Sequence, residues 1–188
     1  SQDAQQLVNA LHFYLGQEHH LDAEGEADGS VDLPIVHLPD WETLPYDSFS
    51  PHEDITSERL KALSQLSDLH RGLLILPIQT LAHRLPPREH LDGQRFVLTT
   101  GDTFDLHTER RRLEASGYHA VDTVHEHGEF AVRGAILDVF PMGSQQPLRI
   151  ELFDTEIESL RAFDPDTQRT ITKVDSVTLL PAREIPLT

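Results

Sequence analysis

Apolar positions recur at helical spacing near the start of the chain, where Leu7, Ala10, Leu11, Tyr14 and Leu15 fall at i, i+3, i+4, i+7 and i+8 ahead of Gly16. The period predicts an amphipathic helix over residues 3 to 15, with that stripe turned to the core and glycine as its stop. Two short continuous apolar runs follow, Ile35-Val36-His37-Leu38 and Leu73-Leu74-Ile75-Leu76, each bounded by proline. Continuous runs of this length suit buried strands, and Leu60, Leu63 and Leu66 between them mark a second helix. Helix, strand, helix, strand predicts a parallel sheet of α/β type. A further short helix is expected from Gln79 to Leu85, stopped by Pro86-Pro87 because proline cannot continue it.

Beyond those prolines the period shortens to two. Strands are predicted at Arg95 to Thr99 and near 118 to 124, 129 to 140 and 147 to 154, around one helix over 106 to 116. Asp105 is a plausible N-cap for that helix, Leu106 and Leu113 face inward, and Gly117 ends it. Asp164-Pro165-Asp166-Thr167 predicts a turn between a strand near Leu160 to Phe163 and the next near Thr170 to Leu179. Strands gathered around one helix make a small α+β unit, so the expected fold is a parallel-sheet α/β part followed by an α+β part.

The stretch from Glu126 to Asp164 carries charge and aromaticity that a purely structural hairpin does not need. Leu148, Ile150 and Leu152 alternate with Arg149, Glu151 and Phe153, which places Phe153 on the polar face. Phe130 and Val132 alternate with Glu129, Ala131 and Arg133, so Arg133 points outward by the same argument. With a turn centred near Ser144, Ala135 lies opposite Phe153 and Val139 opposite Arg149, which gathers Arg133, Arg149 and Phe153 on one face. Two readings stay open. Either Phe153 packs under a covering helix and the arginines pair with local carboxylates, or the aromatic flanked by arginines is a protein-binding edge.

Charge narrows the choice of partner. Against 15 basic residues stand 32 acidic ones, a formal net charge of −17, and a field of that sign repels phosphates. The densest basic run, Arg110-Arg111-Arg112, lies on the helix over 106 to 116 and reads as a solvated face. There is no cysteine, hence no disulfide or thiol chemistry, which suits a reducing compartment. No apolar run approaches the twenty or so residues of a membrane span, and no signal peptide is evident. His125 and His127, with Glu126 and Glu129 nearby, are too few histidines to specify a metal site. His19-His20 and the acidic stretch from Asp22 to Ser30 lack the glycine and closing glutamate of a calcium loop, so a disordered loop is expected there. No G-x-x-x-x-G-K-[ST] segment occurs, and the chain holds only two lysines, Lys61 and Lys173.

Arg133-Gly134, the run Leu137-Asp138-Val139-Phe140-Pro141 and the segment from Arg149 to Arg161 resemble the UvrA-binding domain shared by two bacterial repair families, UvrB and Mfd, the transcription-repair coupling factors. Asp40-Trp41-Glu42-Thr43-Leu44-Pro45-Tyr46-Asp47-Ser48-Phe49-Ser50-Pro51-His52 is closer still to the Mfd family. UvrB sets a long aromatic hairpin, used to grip damaged DNA, after its corresponding Tyr-Asp segment. Only the nine residues from Ser48 to Thr56 separate Tyr46-Asp47 from Ser57-Glu58-Arg59 here, so damage sensing is not expected. The resemblance implies part of a UvrB-like α/β domain over 1–90, truncated at its N-terminal end, an α+β UvrA-binding domain over 91–180, and a return segment over 181–188.

A non-catalytic adaptor is what this resemblance implies. In the family such a region recruits UvrA to stalled RNA polymerase for transcription-coupled nucleotide excision repair in the cytoplasm, without a cofactor. RNA polymerase and DNA are met through other domains of a parent protein that resembles an ATP-dependent DNA translocase. Arg133, Arg149 and Phe153 match the basic and aromatic positions of the UvrA-binding motif, the arginines meeting carboxylates on UvrA and Phe153 buried at the centre of the patch. The module can also dock within the parent protein and hide that surface. The alternative is a fragment of UvrB type that handles nucleotide or DNA. In UvrB the phosphate-binding loop lies upstream of the helix similar to Asp3 to Leu15, whereas Mfd as a family has lost it in this module, so ATP hydrolysis is not expected of the chain.

Overall fold

The computed structural model describes residues 2–15, 33–42 and 52–185. Gly16, His19-His20, the acidic stretch from Asp22 to Ser30, Thr43 to Pro51 of the Asp40 to His52 motif, and residues 186–188 lie outside them. Helix α1 (Gln2–Tyr14), strand β1 (Ile35–His37), helix α2 (Glu53–Asp68) and strand β2 (Leu73–Ile75) come first. β1 and β2 pair in parallel, Ile35 opposite Leu73 and His37 opposite Ile75, as the apolar runs imply. α1 forms as expected but presents another stripe: Ala4 and Val8 are buried with Leu11 against Ile35 and Ile75, while Leu7 and Tyr14 are exposed. A two-stranded sheet offers a narrow surface, and the smaller side chains allow the helix to approach it. In α2, His52 caps the N-terminus by accepting from the Asp54 N–H, and Glu53 and Asp54 complement the positive end of the helix dipole.

The region around Pro86-Pro87 differs from expectation. In place of a helix from Gln79 to Leu85 there is one 3-10 turn, Thr80–Ala82, and the next helix, α3 (Arg88–Gln94), begins after the prolines. Pro87 sits at the N-cap with φ −58. A missing N–H removes nothing at a helix start, where the first donors have no partner within the helix, so this pair starts a helix as readily as it stops one.

Strand β3 (Phe96–Thr99) and helix α4 (Leu106–Ala115) follow, with Asp105 capping α4 by accepting from the Thr108 N–H at 2.8 Å. The remaining strands are β4 (His119–Ala120), β5 (Glu129–Arg133), β6 (Ile136–Val139), β7 (Leu148–Phe153), β8 (Glu156–Phe163), β9 (Thr170–Val174) and β10 (Ser176–Leu179). β4 to β9 form one sheet in chain order, antiparallel except for the β4–β5 pair, and β10 pairs antiparallel with β3. Three sequence expectations are corrected here. The strand expected near 118 to 124 is only His119–Ala120. The strand expected over 129 to 140 is a hairpin, broken where Gly134 takes φ 61, the left-handed sign that the first central residue of a type II′ turn requires. The strand expected over 170 to 179 divides at Asp175, whose carbonyl accepts from the Thr100 N–H, so its first half edges the large sheet and its second half pairs with β3.

One apolar core runs through both parts of the chain. Val36, Leu38, Leu60 and Leu63 join Phe130, Leu137, Ile150 and Leu160 from the inner face of the large sheet. A small second cluster, Val124, Ala131, Phe140 and Phe163, occupies one end of the outer face. Polar contacts fix the junction: the Gly143 N–H donates to Ser57 Oγ at 2.7 Å, and the Tyr118 hydroxyl donates to the Leu180 carbonyl at 2.7 Å. Burial pushes the Tyr118 phenol well above its ordinary range. A Cβ on Gly143, whose φ is +81, would lie 3.1 Å from Leu180 and 3.2 Å from Lys61, so the turn beside α2 needs glycine both for its backbone and for its closeness.

The segment 181–185 returns to α2. Arg59 is fully buried and donates to both Glu184 carboxylate oxygens at 2.9 and 2.8 Å, and also to the Pro39 carbonyl. Trp41 Nε1 donates to the same carboxylate at 2.9 Å, and its ring lies under the Arg59 guanidinium. Among the described residues, no helix is long and apolar enough to cross a membrane.

Candidate functional site

The outer face of the large sheet, opposite the main core, is built from two rows of directly paired residues. Ala131, Asp138, Arg149, Arg161 and Lys173 form one row across β5 to β9, and Arg133, Ile136, Glu151 and Ser159 form the next across β5 to β8. Direct partners in an antiparallel pair project to the same side. Arg133, Arg149 and Phe153 therefore share this face, as the alternation in the sequence implies.

The register behind that grouping is not the expected one. Arg149 lies opposite Asp138 rather than Val139, and the Ala135 carbonyl accepts from Leu152 N–H, which moves the pairing by one residue. Such a slip alone would send Arg133 to the other side of the sheet. The hairpin at Gly134 reverses the parity a second time, placing Arg133 opposite Ile136, and the two reversals cancel.

Asp138 organises the charge. Its side chain is 1% exposed and accepts from Arg149 Nε at 2.7 Å, from a second Arg149 nitrogen at 2.9 Å, and from Arg133. Hydrogen bonding to Asp138 raises the Arg149 pKa further, so this cation stays charged. Arg149 also stacks 4.8 Å over the Phe163 ring and is 17% exposed, whereas Arg133 is half-exposed. Next along the face, Arg161 Nε lies 3.4 Å from Glu151 and 3.2 Å from Ser159 Oγ.

Phe153 ends β7 ahead of the Asp154-Thr155 turn, where Asp154 takes φ 57, and its side chain is 75% exposed. The two readings thus divide between the residues: the arginines do pair with a local carboxylate, but Phe153 is uncovered. Asp138 was not singled out from the sequence. Its signal was there, a lone carboxylate within the apolar run Ile136-Leu137-Asp138-Val139-Phe140, where burial demands a cationic partner.

Other candidates fall elsewhere. Arg110, Arg111 and Arg112 are exposed on α4, with Arg110 beside Glu114 at 3.1 Å and Arg112 beside Glu109 at 3.6 Å. His127 bridges Asp54 at 2.7 Å and the Ser144 carbonyl at 2.8 Å while lying against the Phe140 ring, a joint between α2 and the large sheet. Among the described residues no group of three or more His, Cys, Asp or Glu is placed to hold a metal ion.

Residues 96–185, which include the whole of this face, match the UvrB interaction domain family. Over 83% of its length the chain is 51% identical to the transcription-repair-coupling factor of Escherichia coli (strain K12), and over 81% it is 53% identical to that of Haemophilus influenzae. The chain belongs to the transcription-repair-coupling-factor family. A relative in Myxococcus xanthus is 37% identical across 98% of the chain. The chain spans 14%, 13% and 15% of the lengths of these three coupling factors, so it corresponds to a minor segment of each. The matched UvrB interaction domain covers β3 to β10 of this chain, and Arg133, Arg149 and Phe153 all fall inside it.

Proposed function

We propose that this segment is a non-catalytic adaptor that docks UvrA through the outer sheet face, and that its parent protein uses it to bring UvrA to stalled RNA polymerase for transcription-coupled nucleotide excision repair. The observation that carries the reading is Phe153: an aromatic ring 75% exposed at a strand end, on the same face as two arginines already oriented by a buried carboxylate. An aromatic with arginine neighbours is the composition of binding hot spots, and groups held in place before binding lose less entropy on docking. Phe153 is the anchor and Arg133 meets a carboxylate on UvrA. Arg149 holds Asp138, and through it Arg133, in position.

The parent protein is read as a cytoplasmic, ATP-driven DNA translocase whose other domains meet RNA polymerase and DNA. We assign residues 1–90 to the UvrB-like α/β domain, 91–180 to the UvrA-binding domain and 181–188 to the return segment. The Arg59–Glu184 pair between α2 and that last segment supports this division.

A calorimetric titration of the chain with UvrA, at two salt concentrations and with the UvrB interaction domain as competitor, tests the proposal. Saturable binding displaced by the competitor is expected. A folded chain that shows no binding would overturn the reading.

A further inference from the structure

The cations of the outer face do not stop at Arg149. Arg161 on β8 lies directly opposite Arg149, and Lys173 on β9 lies directly opposite Arg161. Like charges placed directly across a sheet repel, so three in a row are unfavourable for the fold itself. Nor is there compensating burial at the far end: β9 is the edge strand, and Thr170 to Lys173 are exposed along it. Arg149 has Asp138 and Arg161 has Glu151, but among the described residues Lys173 makes no ion pair. In a chain of net charge −17 with two lysines, an unpaired lysine next to an arginine is unexpected as chance decoration.

Resting on the UvrA reading, we propose that Arg161 and Lys173 extend the docking face from β7 to the sheet edge, as a basic row that receives an acidic strip on the protein surface that buries Phe153. With strands about 4.8 Å apart, the row from Asp138 on β6 to Lys173 on β9 spans about 14 Å, wide enough to set orientation as well as attraction. Asp138 and Glu151 interleave with the cations, and Glu156 lies opposite Phe153. That mixture suits carboxylates on a folded partner. A phosphate backbone, repelled by the net charge of the chain and by these acids, is disfavoured. The row therefore acts on the encounter, while Phe153 acts on the lifetime of the complex.

Stopped-flow association of this chain with UvrA at low and high salt tests the row, with Arg110→Glu on α4 as a control carrying the same change of charge as Lys173→Glu. Lys173→Glu is expected to slow association about fivefold at low salt, with the gap closing at high salt and the dissociation rate within about twofold of wild type. Arg161→Gln is expected to fall between wild type and Lys173→Glu. Thermal stability of Lys173→Gln should be unchanged or raised, since it relieves repulsion; a fall of several degrees would mean a structural lysine and overturn the proposal. Equal slowing by Lys173→Glu and Arg110→Glu would also overturn it, and if Phe153→Ala still weakened binding the UvrA reading would stand. No binding by folded wild type would overturn both. Duplex DNA binding lost in Lys173→Glu, with UvrA association intact, would assign the row to phosphates instead.

Discussion

At the junction beside α2 it is the arginine that is sealed: Arg59 is fully buried, and Glu184, 6% exposed, closes over it together with Trp41. On the outer sheet face it is the carboxylate that is sealed. Asp138 is 1% exposed, and its two arginines lean outward at 17% and 50% exposure. The chemistry is the same in both places, a guanidinium on a carboxylate, yet the first cluster presents nothing and the second presents cationic groups. Which partner is buried decides whether the cations of an ion pair are sealed in or presented at the surface. A buried arginine spends its donors inside the protein, on the carboxylate and on a backbone carbonyl. A buried aspartate can fix two long side chains by their ends and leave donors of each for a partner.

The largest expected effect breaks the fastener. Glu184→Ala leaves the fully buried Arg59 guanidinium without its carboxylate and removes the acceptor of Trp41 Nε1. Breaking a buried pair from one side costs about 3–5 kcal/mol, which for a chain of this size lowers the melting temperature by roughly 10 °C. UvrA affinity, measured where the variant is still folded, should not change. A melting shift under about 2 °C would mean that the cluster is not what holds the return segment to α2.

Phe153→Ala should do the reverse. Truncating a buried hot-spot aromatic weakens binding by about 2 kcal/mol or more, roughly thirtyfold, at every ionic strength. Because the ring is 75% exposed in the free chain, stability should stay within about 0.5 kcal/mol of wild type. Calorimetry and thermal unfolding on one preparation separate the two. Unchanged affinity would remove Phe153 from the docking face.

The placement of Arg133, Arg149 and Phe153 on one face was legible in the sequence, and the carboxylate that holds the two arginines was not. Alternation placed Phe153 outward because it depends only on local period, which strand β7 keeps from Leu148 to Phe153. Pairing register is a long-range property, and it came out one residue from expectation. Arg133, Arg149 and Phe153 share a face only because the turn at Gly134 restores the parity. The parallel pair, α2, α4 and its caps all followed from period and capping chemistry. α3 did not, since Pro86-Pro87 reads equally as a stop or a start. The stripe of α1 was misphased because amphipathic spacing does not say how wide a surface the helix will meet. The Arg59–Glu184 pair joins residues 125 positions apart, a separation at which no local pattern operates.

Asp138→Asn sharpens the comparison from the other side. The amide keeps the shape but loses the charge that balances two guanidiniums, so both functions of the bracket should fail together. Losing a charged acceptor from a buried network costs about 1–3 kcal/mol of stability, and UvrA affinity should fall by less than for Phe153→Ala, because Arg133 is freed rather than removed. The readout that a merely structural role would not move is the entropy of binding, which becomes less favourable as Arg133 must be ordered on docking. A stability loss with wild-type affinity and entropy would leave Asp138 a fold residue only.

Arg133→Ala is the smallest change and tests the outermost part of the same bracket. Its side chain is half-exposed and reaches Asp138 from β5, while Arg149 holds that carboxylate with two hydrogen bonds of its own. The buried charge therefore remains paired when Arg133 is removed, and stability should fall by no more than about 0.5 kcal/mol. In docking, a rim cation acts chiefly through long-range attraction, which salt screens within about 10 Å at 0.1 M. Affinity should drop severalfold at low salt and converge on wild type at high salt, in contrast to the salt-independent loss for Phe153→Ala. If Arg133→Ala instead weakened binding equally at all salt concentrations, its guanidinium would be a desolvated contact at the centre of the interface, and the division between a clamped cationic rim and an aromatic anchor would have to be redrawn.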